Sequence, residues 1–192
     1  MKTLRYFIEF LFIKFFFLLF KIIGYKNSSN LGGKIGSFIG PLFRSKSLTK
    51  SNIQNSLPNL SQEQVEVLIK KMWENYGRIF SEYMFIEKFR SNKLEKYLNI
   101  NGIKILEKIK KNGKPVVFIS GHFNNFELMA MQIEKAGINL AAIYRPLNNI
   151  FLNRTMEKIR KNYICKNQIK KGISGTRKVI EYVKNGSSIA LM

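Results

Sequence analysis

The chain has 192 residues, 45% of them hydrophobic, which is enough for one substantial core and too few for two large domains. Its 33 Lys and Arg stand against 12 Asp and Glu, a net charge of +21, so the expected partner is anionic: nucleic acid, anionic lipid or an acidic protein. One cysteine excludes an internal disulfide, and one cysteine with one histidine argues against a protein-only zinc site, so no metal centre is expected and a reducing compartment or the cytosolic face of a membrane is the simplest assumption.

From Leu4 to Ile23 the chain is apolar and strongly aromatic, interrupted only by Arg5, Glu9, Lys14 and Lys21. That length suits a membrane helix. On a helical wheel Arg5 and Glu9 fall on one side and Lys14 and Lys21 roughly opposite, so no single polar stripe of the interfacial kind emerges. Lys14 near the middle of a span would cost ~2.5–3.5 kcal/mol, which leaves spanning and dipping both open. No small-residue cleavage site follows, so residues 1–26 read as a retained membrane anchor and not as a removed signal peptide.

Residues 27–100 read as a helical part of the domain that fills 27–192. Leu31 to Pro41 is rich in glycine and of uncertain helicity. Ser61, with Gln64 three residues on, forms a capping-box pattern. After it Val65, Leu68, Ile69, Met72, Trp73, Tyr76, Ile79 and Phe80 recur at helical spacing, predicting one long amphipathic helix toward Phe85. Its aromatic stripe reads as plain core.

Residues 101–192 alternate helices with strands, which predicts an α/β fold with parallel pairing. A helix over 103–111 stops at Gly113, a strand spans Pro115 to Ser120, and a helix from about Asn124 to Ala136 stops at Gly137. The continuous apolar run Val116 to Ile119 suits a strand covered on both faces. Leu140 to Tyr144 is the next strand, ended by Arg145-Pro146. A helix over about 150–163, a short strand near 165–169, a helix capped by Ser174 and a final strand at 188–192 complete the pattern. The abrupt end after a strand leads us to expect a chain that is incomplete at its C-terminus.

Any imidazole chemistry must use His122, which follows the first predicted strand at the turn made by Gly121. Glu127, five residues on, is placed to accept the second ring N–H and stabilise an imidazolium, as the carboxylate of a catalytic triad does. Ser120 is disfavoured as a nucleophile because strand alternation directs it elsewhere. The helix start near Asn124 and Asn125 offers backbone N–H groups to an oxyanion or phosphate. Spacing alone also fits a buried structural histidine with Glu127 as a surface carboxylate.

Gly121-His122-Phe123-Asn124-Asn125-Phe126-Glu127 resembles the G-H-x-x-x-x-E signature of the late acyltransferases of lipid A biosynthesis, the Kdo-dependent lauroyl and myristoyl transferases. The hydrophobic N-terminus, Asn52 to Pro58, Glu82 and the Tyr144-Arg145-Pro146 turn agree with that family over nearly the whole chain. Asn124 stands where the family more often has Gly, and the chain stops before an expected Asp-Gln element. The resemblance implies an acyltransferase-like mixed or parallel sheet flanked by helices, preceded by an N-terminal hydrophobic membrane helix.

The implied donor is an acyl-carrier-protein thioester, with no other cofactor, and the implied acceptor is a hydroxyl of a Kdo-bearing lipid A precursor. His122 would be the base and Glu127 its partner. Arg145, Arg160, Asn124 and Asn125 would bind substrate, with Arg154 a less favoured alternative to Arg160. Expected partners are acyl carrier protein, an anionic glycolipid and membrane lipid, at the cytoplasmic face of a bacterial inner membrane. Arg145, Arg160, Lys161, Lys170 and Lys171 would attract both anionic substrates. A glycerophospholipid acyltransferase and a non-catalytic basic membrane-attached protein are the alternative readings. No nucleic-acid motif is present, so nucleic acid is not expected as a partner.

Overall fold

In a computed structural model that describes residues 2–191, nine α-helices and a four-stranded sheet are formed among the described residues. The helices are α1 (Lys2–Ile23), α2 (Tyr25–Ile39), α3 (Lys46–Ser56), α4 (Gln62–Glu82), α5 (Ile86–Arg90), α6 (Ile103–Asn112), α7 (Glu127–Lys135), α8 (Ile150–Ile159) and α9 (Ile173–Lys184). The strands are β1 (Val117–Ile119), β2 (Leu140–Tyr144), β3 (Asn167–Lys170) and β4 (Ser188–Leu191). Two compact units emerge, one from residues up to Ile13 together with Ile86 onward, the other from Lys14 to Phe85.

The Lys14–Phe85 unit is helical. Helix α4 starts as expected: Ser61 Oγ accepts from the Gln64 N–H and the Gln64 side chain accepts from the Ser61 N–H, satisfying two donors that have no partner within the helix. It continues as a 3₁₀ turn over Tyr83–Phe85. The glycine-rich segment is helical after all, as α2, because its glycines permit a very close approach to α4. A Cβ added at Gly77 would lie 2.0 Å from Gly32 O, and one at Gly36 would lie 2.4 Å from Trp73 O. Side chains are excluded from this contact, so the two backbones touch. Phe17 and Phe20 of α1 are buried, stacking on Phe80 of α4, and the Ser28 hydroxyl donates to the Phe20 carbonyl.

The other unit is α/β. Its strands lie in the order β1-β4-β2-β3 and every pair is parallel, so the sheet is not mixed. Ala141, Ile169 and Ile189 are buried side by side in the register Ala141↔Ile189 and Ile143↔Ile169, and Val179 and Tyr182 of α9 pack against them. Residues of the opposite parity on β2, Ala142 and Tyr144, face a cavity with Ala130 of α7. Helix α6 ends at Gly113 and α7 at Gly137, both with positive φ, as the glycine placement predicted. The N-terminal half of α1 belongs here. The Asn149 side chain caps α8 through the Phe151 and Leu152 N–H groups and donates to the Tyr6 carbonyl, while Phe7 packs edge-on against Phe151.

The structure corrects four expectations. Among the described residues no helix is long and apolar enough to cross a membrane, because Arg5, Glu9, Lys14 and Lys21 interrupt α1 too often. Strand β1 is an edge strand and is not covered on both faces: Val117 and Ile119 are 57% and 81% exposed. The helix after β1 starts at Glu127 and not near Asn124, since Asn124 is held at φ 45°, outside the helical region. Ser174 lies inside α9, which starts after Gly172 and has no side-chain cap.

Replacing a helical glycine by alanine ordinarily stabilises by about 0.5–1 kcal/mol. At Gly77 the added methyl meets a backbone oxygen, so Gly77→Ala should instead destabilise by roughly 1–3 kcal/mol. Urea unfolding of the purified chain gives the sign of the change.

Candidate active site

The carboxyl ends of β1, β2 and β3 each deliver a polar residue to one cavity of about 370 Å³, in the position where parallel sheets bind ligands. His122 comes from the turn after β1, Arg145 follows β2 and Lys171 follows β3. Phe126 and Glu127 enter from α7, Arg160 from the end of α8, and Tyr144 and Gln168 from the sheet.

Glu127 is the buried charge of the site, at the first position of α7, where the positive end of the helix favours a carboxylate. Arg160 reaches it from 33 residues away: Nε donates to Oε1 at 3.0 Å and Nη2 donates to the same oxygen at 2.6 Å. Both side chains are largely withdrawn from solvent, at 15% and 10% exposure. Arg160 stands where the helix changes character, since α8 passes into a π-helical segment over Arg160–Ile164, a local geometry that recurs at functional sites. The His122 ring is exposed and lies edge-on to Phe126, centroids 4.7 Å apart. Among the described residues no hydrogen bond joins it to Glu127, so the two share the cavity while Arg160 holds the carboxylate.

Behind the pair lies a second polar group. The Tyr144 hydroxyl donates to Glu157 Oε1 at 2.5 Å, and Glu157 also accepts from Asn153 at 2.8 Å and pairs with Lys170 at 3.4 Å. The Arg160 guanidinium sits 5.6 Å from the Tyr144 ring centroid, within cation–π range. Burial above all, then the hydrogen bond and charge of Glu157, push the Tyr144 phenol far above its ordinary value, against the pull of Arg160. The Tyr144 hydrogen bond holds the Glu157 carboxyl below its ordinary value of 4.5, against burial and with help from Asn153 and Lys170. Both shifts keep the proton on Tyr144 and the charge on Glu157.

The structure thus brings together His122, Glu127, Arg145 and Arg160. Asn124 and Asn125 do not line the cavity; Asn124 is exposed, and the buried Asn125 Nδ2 has no hydrogen-bond partner among the described residues. Arg154 and Lys161 are exposed and also lie off the cavity, and Lys170 meets Glu157 instead of lining it. Ser120 does not line this cavity but a second one beside α9, and its hydroxyl donates to the Gly121 carbonyl at 3.3 Å. Cys165 is buried with its thiol donating to the Leu140 carbonyl, and burial above all pushes it up to about 11, so it is no nucleophile at neutral pH. Sequence reasoning missed Glu157, whose only local signal is its spacing from Asn153 and Arg160 on one helix face.

Because the folded Glu157 carboxyl titrates below 4.5, the stability it contributes is complete above that value and is lost as pH falls through the lower folded value. Melting temperature measured from pH 7 down to pH 3 should therefore fall less steeply in Glu157→Gln than in the wild type.

A family model described as bacterial lipid A biosynthesis acyltransferase matches residues 1–192. Among curated proteins the chain is similar to the lipid A biosynthesis palmitoleoyltransferase of Escherichia coli (strain K12), 26% identical over 174 residues, which covers 83% of this chain and 56% of the relative. It is also similar to a lipid A biosynthesis acyltransferase of Haemophilus influenzae (strain ATCC 51907 / DSM 11121 / KW20 / Rd), 23% identical over 136 residues, covering 70% of this chain and 43% of the relative. The chain spans about half the length of the curated relatives it matches. With a family match that runs across all its residues and a histidine, a glutamate and an arginine gathered at the ends of a parallel sheet, the chain belongs to the bacterial lipid A biosynthesis acyltransferase family.

Proposed function

We propose that this protein transfers a fatty acyl chain from an acyl-carrier-protein thioester to a hydroxyl of a Kdo-bearing lipid A precursor. The observation that carries the reading is the meeting of the chain's one imidazole with a buried Glu127–Arg160 pair in a cavity rimmed by Arg145 and Lys171. In this reading His122 takes the proton from the acceptor hydroxyl as its oxygen attacks the thioester carbonyl. The tetrahedral intermediate collapses with cleavage of the C–S bond, and the imidazolium returns the proton to the departing thiolate. Glu127 supplies the negative charge that favours the imidazolium, and Arg160 fixes where that charge sits. Arg145 and Lys171 attract the phosphates and carboxylates of the acceptor, and the net charge of +21 favours an acidic carrier protein. Asn124 and Asn125, off the cavity wall, have no part in this reading.

The site of action in this reading is the cytoplasmic face of a bacterial inner membrane, with α1 lying in the plane of the surface. Leu4, Ile8, Leu11, Phe15, Leu18 and Ile22 recur every three or four residues along α1 and are all more than half exposed, while Phe17 and Phe20 face the protein. On the wheel, Lys14 and Lys21 flank this apolar stripe on one edge and Arg5 on the other, all three exposed. An apolar centre between cationic edges is the pattern of a helix sunk to headgroup depth in an anionic surface.

Purified His122→Ala should lose at least about 100-fold in acyl transfer with a melting temperature close to wild type, and Glu127→Ala should lose as much while melting lower, because it removes the carboxylate that offsets the burial of Arg160. Wild-type turnover in His122→Ala would remove the mechanism, and mass spectra of lipid A unchanged by loss of the gene would remove the substrate. For the seat of α1, single cysteines placed at Lys2 and at Lys26 in protein bound to phosphatidylglycerol vesicles should both react with an impermeant thiol reagent added outside. Labelling of only one of the two would mean that α1 crosses the bilayer.

A further inference from the structure

We propose that Glu157 is a positioning residue that holds Arg160 against Glu127 through the ring and hydroxyl of Tyr144. Its catalytic readout rests on the acyl transfer proposed above. An arginine side chain has many rotamers, and Arg160 here places two N–H groups on a single carboxylate oxygen. That geometry needs a surface on which the guanidinium can rest. Tyr144 supplies it: the last residue of β2 presents its ring 5.6 Å from the Arg160 guanidinium carbon.

Tyr144 is itself held at its far end. Its hydroxyl donates to Glu157 Oε1, and Glu157 lies three residues before Arg160, so one stretch of helix carries both the clamped arginine and the carboxylate that fixes its clamp. Donation to a carboxylate also enriches the phenol ring in electron density, which strengthens its attraction for a cation. The orientation of Glu157 is set by two further groups, because Asn153 donates to the same oxygen at 2.8 Å and Lys170 pairs with it at 3.4 Å. The charged and titratable groups around this linkage are therefore Lys170 from β3, Arg160 from the end of α8, and Tyr144 from β2. Across the cavity stand Glu127 of α7, His122, Arg145 and Lys171.

The linkage predicts coupled effects. Tyr144→Phe keeps the ring and removes the hydroxyl, and Glu157→Gln keeps the volume and removes the charge. In the purified full chain each should lower kcat about 10-fold with KM changed less than about twofold, and the double variant should be no slower than either single one, as members of one unit behave. A second readout needs no substrate. The Arg160 Nε–H resonance, assigned by its disappearance in Arg160→Lys, should exchange with water about 10-fold faster in both variants than in the wild type, because its bond to Glu127 opens more often.

Unchanged kcat and unchanged exchange in Tyr144→Phe and Glu157→Gln, or fully additive losses in the double variant, would overturn the proposal. If Glu157→Gln unfolds, Tyr144→Phe decides. If even the wild type transfers no acyl chain, the proposed function falls, and the Nε–H exchange rates still decide whether Glu157 positions Arg160.

Discussion

The site depends on one buried contact between opposite charges. Taking a carboxylate and a guanidinium out of water costs several kcal/mol each, and the cost is offset only when the two meet with good geometry and further hydrogen bonds. Glu127 and Arg160 meet that condition, one at the positive end of α7 and the other across the cavity at the end of α8. Neither position tolerates burial of its charge without the other, so the pair fixes the distance between the two helices. Both residues also line the cavity on which His122 opens, with the imidazole exposed and the charge pair held away from water.

The order of the sheet shows that the cavity is put together by pairings far apart in sequence. His122 follows β1 and Arg145 follows β2, yet those strands are not neighbours: β4 lies between them and bonds to both. Val117 pairs with Ile189 and Ala141 pairs with the same residue from the other side. The two walls of the cavity are therefore set at their working distance by residues some 50 to 70 positions away in sequence, and long-range pairing of this kind is slow to form.

Much of the skeleton was legible because local signals and the final fold agree. The capping box at Ser61, the glycines that end α6 and α7, and the strand from Leu140 to Tyr144 ended by Arg145-Pro146 all stand where short-range chemistry puts them. His122 was legible as the only imidazole at the end of a strand. The partner of Glu127 was not, since five-residue spacing suggested His122 and the structure supplies Arg160 through a contact that no local pattern encodes. The π-helical turn at Arg160 adds to this, because it shifts the register in which a helical wheel would place the side chain. For α1 the wheel shows no single polar stripe, and it does not reveal which face meets protein, which the burial of Phe17 and Phe20 against Phe80 supplies. The sequence suggests a helix start near Asn124, and the left-handed turn at Asn124 moves that start to Glu127.

Helix α1 belongs in part to each compact unit, Phe7 meeting Phe151 beside the cap of α8 and Phe17 and Phe20 meeting Phe80 of α4. It therefore cannot be trimmed away as a detachable tether. A shortened protein starting after Ile23 would bare Phe80 in one unit and Phe151 in the other. It would also leave the Asn149 amide without the Tyr6 carbonyl at the foot of the helix that carries Arg160. For anyone seeking a more soluble form, the workable changes lie on the outward stripe of α1, where Leu11, Phe15 and Leu18 can be made polar without opening either core.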